Sequence, residues 1–364
     1  PVSRGSNKNP LEDLHTLIEE QELKADILIC AGDITTYANT TALKAGWKFL
    51  DQAAKKLQAN LFCAATGNHD VDSRSKKDLS GTFVRDAANF TGLVERLKLL
   101  DPAYPAVFYD HHALPKNYRE FRKSYFGENF LLLEQHDDYR VMIFNSCSEH
   151  GHDVNEFGRG TTPASTLQCV KQTIKDTNGE RINILVVHHP LTPQSSDGDL
   201  YSYQAGGDQL LRELEGLNDD WLVINGHKHV GELKNGPSES GVGMTLFSAA
   251  SFSGTSGAGS EAAANQFYLI DLERSATGQL MGSFRTWNWN LGTKWTRARQ
   301  VSEAGIYDGC GFGSGMSPSQ IADAIEQCFA KGIEQWSDIC AAEPRLKCVM
   351  PQSMRSACML LHSR

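Results

Sequence analysis

Short apolar runs, each leading into a polar block that holds glycine or proline, recur along this chain. Ile27-Leu28-Ile29-Cys30, Leu61-Phe62-Cys63-Ala64, Ile184-Leu185-Val186-Val187 and Trp221-Leu222-Val223-Ile224 have the length and continuity of buried strands. Between them the apolar spacing changes to that of helices. Leu11, Leu14, Leu17 and Ile18 form one stripe of a helix from Leu11 to Glu22, and a second helix is predicted from Thr41 to Leu57. Further helices are predicted over Thr162 to Thr177 and Asp208 to Leu217, and a strand over Tyr139 to Ser146. Such alternation argues for an α/β sheet. Gly243 to Ala249, Gln266 to Leu272 and Gly282 to Trp289 are all strand-like, which predicts a second sheet packed on the first.

Two stretches break the rhythm. Ser251 to Ala264 is rich in Gly, Ser and Ala and reads as a loop. It lacks the Gly-Lys-Ser/Thr ending of a phosphate-binding P-loop. Beyond about Gln300, a Gly-rich turn from Gly309 to Gly315 leads into a helix from Ser319 to Ala330, capped by Ser317 or Ser319. The expected organisation is a main domain over residues 1–298 and a short, partly helical, cysteine-containing appendage over residues 299–364.

Composition narrows the class of partner. The 364 residues are 40% hydrophobic and 22% charged, ordinary for a globular protein, and no apolar run reaches bilayer length. The net charge of −9 and the absence of a Lys/Arg cluster speak against a grip on nucleic-acid phosphates. Small anionic substrates stay open, because bound metal supplies its own local positive charge. The nine cysteines include no C-x-x-C pair, which argues against a structural zinc site. Free thiols in a reducing, cytoplasmic compartment are the favoured reading. Five cysteines after residue 300 leave open a disulfide or two in an exported protein.

The polar blocks carry the chemistry. Gly32-Asp33, Gly67-Asn68-His69-Asp70, His188-His189-Pro190 and Gly226-His227-Lys228-His229 each follow a predicted strand. Open α/β sheets gather their sites at such strand ends. Carboxylate, amide and imidazole groups together suit a pair of divalent ions. Each block has a plainer reading alone: Asp33 as a helix N-cap, His227 and His229 as surface histidines.

In this order the blocks resemble the calcineurin-like metallophosphoesterases, a family that includes purple acid phosphatases and class III cyclic-nucleotide phosphodiesterases. Four of that family's five blocks are present, over roughly residues 10 to 295. The resemblance implies a four-layer α/β/β/α sandwich and hydrolysis of a phosphate ester by a metal-bridging hydroxide. Two ions about 3.5–4 Å apart clamp the phosphate and acidify the water between them. By the same resemblance Asp33 bridges the ions, Asn68, His188 and His227 hold one, and His229 holds the other. His69 faces the substrate as a charge stabiliser or general acid, and Asp70 orients His69. Oxygen and nitrogen ligands suit manganese, iron or zinc. His188-His189-Pro190 resembles the cyclic-nucleotide and glycerophosphodiester branch, which favours a small phosphodiester or nucleotide-like substrate. A non-catalytic scaffold with a weakened metal site is the alternative.

The family's first block, D-x-H, has one literal match here, Asp13-Leu14-His15. It lies inside a predicted helix, where residues two apart point to nearly opposite sides, so it is expected to be a decoy. The true block is expected upstream of the sequence as given, because a sheet without that strand exposes unpaired edges. His189 is expected to pack beside the site rather than enter it. His150-Gly151-His152, His111-His112 and Arg74 are expected to be solvated, and Trp287 and Trp289 to belong to the core or a sheet surface.

Overall fold

The computed structural model describes residues 9–71, 76–77, 83–84, 96–110, 118–134, 136–150, 158–174, 181–194, 203–217, 219–237, 243–254, 265–289, 294–298 and 306–363. Strands β1 (Ile27–Cys30) and β2 (Leu61–Ala64) run parallel. A strand from Ala106–Phe108 lies antiparallel on the far side of β2, so among the described residues β1 stands at an edge. All four apolar residues of β1 are only half-buried.

The larger sheet has six strands. β3 (Tyr139–Phe144), β4 (Ile182–Val186) and β5 (Trp221–Asn225) are consecutive parallel neighbours. Met244–Ser248 extends the parallel set, and Phe130–Leu133 and Glu232–Asn235 close the two edges antiparallel. β4 and β5 are apolar on both faces because both faces are covered. A long hairpin, Asn265–Arg274 with Leu280–Trp289, builds a further antiparallel sheet.

Side-chain clusters define the layers. Between the sheets, Ile29, Cys63, Val141, Ile143, Ile184, Val186, Leu222, Ile224 and Phe284 form one continuous core. On the outer face of the six-stranded sheet, Leu185, Val187 and Val223 meet Val170 from helix Ala164–Thr173 and Leu210, Leu211 and Leu214 from helix Gly207–Glu215. On the opposite outside, helices α1 (Pro10–Glu20) and α2 (Thr40–Lys56) bring Leu17, Ile18 and Ala53 against Trp287, Trp289 and Trp295. The order is therefore α/β/β/α. Trp287 is fully buried and stacks on Phe267 at 4.7 Å, a core residue as anticipated.

The C-terminal segment joins the main body through Gly311–Phe312, which pairs with the hairpin strand. Its helices Pro318–Ala330, Trp336–Ala342 and Pro351–Ser363 carry their own core of Ile321, Ile325, Ile339, Leu346 and Ala357. Ser317 caps the first of them in a reciprocal box with Gln320. All nine cysteines are free thiols, including those of this segment. Among the described residues no helix is long and apolar enough to cross a membrane. Arg74, His111-His112, Gly151-His152 and residues 255–264 of the Ser251 to Ala264 loop lie outside the described residues.

Candidate metal centre

The four polar blocks leave the C-terminal ends of two parallel pairs, β1 with β2 in one sheet and β4 with β5 in the other. The site therefore straddles the sandwich, and each sheet contributes two loops. The chain must turn sharply to bring side chains back over the strand ends. Gly32 adopts φ +94°, and a Cβ there would meet His188 Nδ1 at 2.6 Å. Gly67 is excluded from any larger residue by contact, since its Cβ would collide with the Asp33 backbone and carboxylate. Asp33, His227 and His229 themselves hold left-handed φ values of 56°, 74° and 61°. Such backbone is costly for residues with a Cβ and persists where the surroundings enforce it.

Asp70 does much of that enforcing. Its carboxylate accepts three backbone N–H bonds, from Asp33 at 2.9 Å, Gly67 at 2.9 Å and Thr35 at 3.0 Å. This corrects the expectation that Asp70 orients the His69 ring: it ties the Gly32-Asp33 loop to the Gly67-Asn68 loop. Burial and the neighbouring Asp33 carboxylate push Asp70 upward in pKa. Asp33 in turn accepts the backbone N–H of His69 through Oδ1 at 2.8 Å, which leaves Oδ2 facing the site.

Around Oδ2 the other predicted ligands converge. His188 Nε2 lies 3.3 Å from Asp33 Oδ2 and 2.9 Å from Asn68 Oδ1. His227 Nδ1 lies 3.2 Å from the same Asn68 oxygen. The far side of each ring fixes its role. His188 Nδ1 donates to Ala31 O at 2.7 Å, and His227 Nε2 donates to Gly158 O at 3.1 Å. Carbonyl oxygens only accept, so those two nitrogens carry the protons. Burial and the charge of His188 push His227 down to about 3, so its ring is neutral and Nδ1 presents a bare lone pair to Asn68 Oδ1. Two electron-rich atoms pointed at one another are the mark of a place for a cation. Metal-ligating histidines commonly donate one N–H to a carbonyl and aim the other nitrogen at the ion, and His188 and His227 have that arrangement.

The spacing fits as well. Bonds of about 2.1 Å to a small divalent ion place adjacent ligands roughly 3.0–3.4 Å apart. The three donor separations here are 2.9, 3.2 and 3.3 Å. Asp33 and His188 form the charged pair of the metal-free site. Burial opposes charge on both, but their mutual attraction wins, lowering Asp33 and raising His188.

The other side of Asp33 is different. His229 is exposed, is lowered by burial of its ring, and feels the charges of Asp33, His188 and His69. Among the described residues its ring makes no hydrogen bond. His69 is half-buried, with its ring 6.0 Å from the exposed ring of Tyr37 in an edge-on contact. Tyr37 carried no signal in the sequence. Asp13 and His15 do not join the site: the Asp13 carboxylate accepts Trp295 N–H at 2.8 Å, and His15 stacks on Phe49 at 4.7 Å. The D-x-H match is a decoy. His189 is fully buried and packs 4.4 Å from His227 and 4.9 Å from His188 between ring centroids. His150, expected to be solvated, is buried beside it.

Comparison with known proteins places this geometry. No curated protein matches the chain significantly. Among solved structures, a dimetal phosphatase from Danio rerio is similar, at 12% identity and a TM-score of 0.40, over 66% of this chain and 77% of that one. The family model described as calcineurin-like phosphoesterase matches residues 6–231, a span that takes in all four polar blocks. The chain belongs to the calcineurin-like phosphoesterase family, whose members are metal-dependent hydrolases of phosphate esters.

Proposed function

We propose that this protein hydrolyses a small phosphodiester or nucleotide-like ester, with Asp33, Asn68, His188 and His227 holding one divalent ion and Asp33 and His229 sharing a second. The convergence of Asp33 Oδ2, Asn68 Oδ1, His188 Nε2 and His227 Nδ1 carries this reading. Bound divalent ions supply Lewis acidity toward phosphate oxygens and a water made acidic at neutral pH. Manganese, iron and zinc all suit the oxygen and nitrogen donors.

The chain's own groups have separate tasks. His69 stands at the mouth, with its backbone fixed on Asp33, and its ring protonates the departing oxygen or stabilises charge on phosphorus. Asp70 keeps Asp33 and Asn68 in register by holding both loops. Ala31 O and Gly158 O hold the tautomers of His188 and His227. The diester preference draws on the His188-His189-Pro190 block.

The test compares bis(p-nitrophenyl) phosphate with p-nitrophenyl phosphate, with manganese added and after chelation. The reading predicts chelator-sensitive turnover with the diester preferred. Monoester preference would overturn the substrate assignment. No turnover of either ester with any of the three metals would favour a scaffold.

A further inference from the structure

We propose that Cys147, His150 and His189 form a separate, sulfur-containing site for one zinc-like divalent ion beside the Asp33 centre. Cys147 and His150 lie in the turns that follow β3, and His189 follows β4, its parallel neighbour. The Cys147 sulfur and one ring nitrogen of each histidine lie within 4.8 Å of one another, and all three residues are buried. A thiolate with two imidazoles is a donor set for zinc, which accepts sulfur and nitrogen at about 2.3 and 2.0–2.1 Å. Those bonds place ligands roughly 3.3–3.8 Å apart in a tetrahedron, so a contraction of about 1 Å closes the site.

Hydrogen bonding makes the case specific. His150 Nε2 donates to Arg159 O at 3.2 Å, so its proton is there. His150 is 1% exposed, and among the described residues its Nδ1 has no hydrogen-bond partner. His189 is 0% exposed; its Nδ1 lies 4.0 Å from Cys147 Sγ and 2.8 Å from Ser146 Oγ, and among the described residues its Nε2 has no partner. A buried polar atom left without a partner is destabilising, and each of the two histidines carries one. His150 repeats the construction of His188 and His227: one N–H on a carbonyl, the other nitrogen bare. Cys147 donates its S–H to Thr66 O at 3.2 Å, just ahead of Gly67-Asn68. On binding, the sulfur–metal bond forms as the thiol proton leaves to solvent. Ser146 Oγ or a water completes the fourth position.

The walls are close. A Cβ at Gly160 would come within 2.7 Å of the His189 ring. His189 also lies within ligand distance of His188 and His227, so the two centres share one wall. An ion held here would pin the turns after β3 to the loops that carry Asn68 and His188. Turning His189 into the Asp33 centre instead would need no sulfur, and that difference decides the test.

The experiment is zinc-edge X-ray absorption on the full chain loaded with zinc, with metal counted per chain. The proposal predicts one sulfur scatterer at about 2.3 Å. C147S is expected to lose that scatterer and one equivalent of metal, and H150Q one equivalent. D33N is expected to keep the sulfur signal while losing metal from the other centre. Cobalt loading gives a second readout, a sulfur-to-cobalt charge-transfer band absent from C147S. A spectrum of the unsubstituted protein with only oxygen and nitrogen scatterers overturns the proposal, whatever the variants do. So does a sulfur signal that survives C147S. Failure of phosphodiester turnover leaves these readouts untouched.

Discussion

The two sides of Asp33 teach different lessons. On one side, a half-buried carboxylate oxygen, an amide oxygen and two imidazole nitrogens stand 2.9–3.3 Å apart, with their outer partners already in place. On the other, among the described residues only the exposed His229 faces Asp33, and the strand that leads to Asp33 has no neighbour on its outer side. Preorganisation explains the contrast. The closed side is built from loops of both sheets locked by Asp70, Ala31 O and Gly158 O. Among the described residues, the open side rests on one loop. Tight metal binding is expected on the closed side and weaker, exchangeable binding on the open side.

The largest effect follows from removing a closed-side ligand. N68A or H188A is expected to lower kcat/KM by at least the 10²–10³-fold that loss of one transition-state donor costs, and to lose the tight metal equivalent, measured by elemental analysis. H229A is expected to spare that equivalent and lose only the weaker one. Equal losses in H188A and H229A would erase the distinction between the sides. H69A is expected to reduce kcat by about 10²–10⁴-fold with metal content unchanged, as removal of a general acid does. A parallel fall in metal content would make His69 a ligand instead.

D70N sharpens the comparison from behind. An amide nitrogen would face backbone N–H groups in place of an acceptor oxygen. Losses of outer hydrogen-bond partners typically cost about 10–100-fold in metal affinity, and that range is expected on the closed side, read by calorimetry.

Acidity gives a signed test. The metal-free Asp33–His188 pair holds its proton above the ordinary imidazole value of 6.5. Metal must displace that proton, so apparent affinity is expected to rise with pH through the neutral range and flatten above the raised His188 value. Stability of the metal-free protein runs the other way. The His188 contribution is fully present below pH 6.5 and is lost as pH rises through its raised folded value. The smallest effect is expected from H15A, which should leave metal content unchanged because His15 stacks on Phe49 outside the site.

The fold was legible because its strands are short, apolar on both faces and each closed by a polar block. The convergence of Asp33, Asn68, His188 and His227 was legible because four blocks kept their order. What the sequence hid was geometry carried by backbone. Ala31 O and Gly158 O have no side-chain signature, and nothing in Gly67-Asn68-His69-Asp70 says that the last carboxylate binds three amides rather than a ring. His150 looked solvated because His-Gly-His in a loop gives no sign of burial. Cys147 looked like one scattered thiol, since metal-site spacing rules detect ligands near in sequence, and His189 follows the neighbouring strand.

Anomalous diffraction from crystals soaked in manganese tests the central claim most directly. The account predicts a peak about 2.0–2.3 Å from Asp33 Oδ2, Asn68 Oδ1, His188 Nε2 and His227 Nδ1, with a weaker one toward His229. A strong peak elsewhere, with no density between those four atoms, would contradict it.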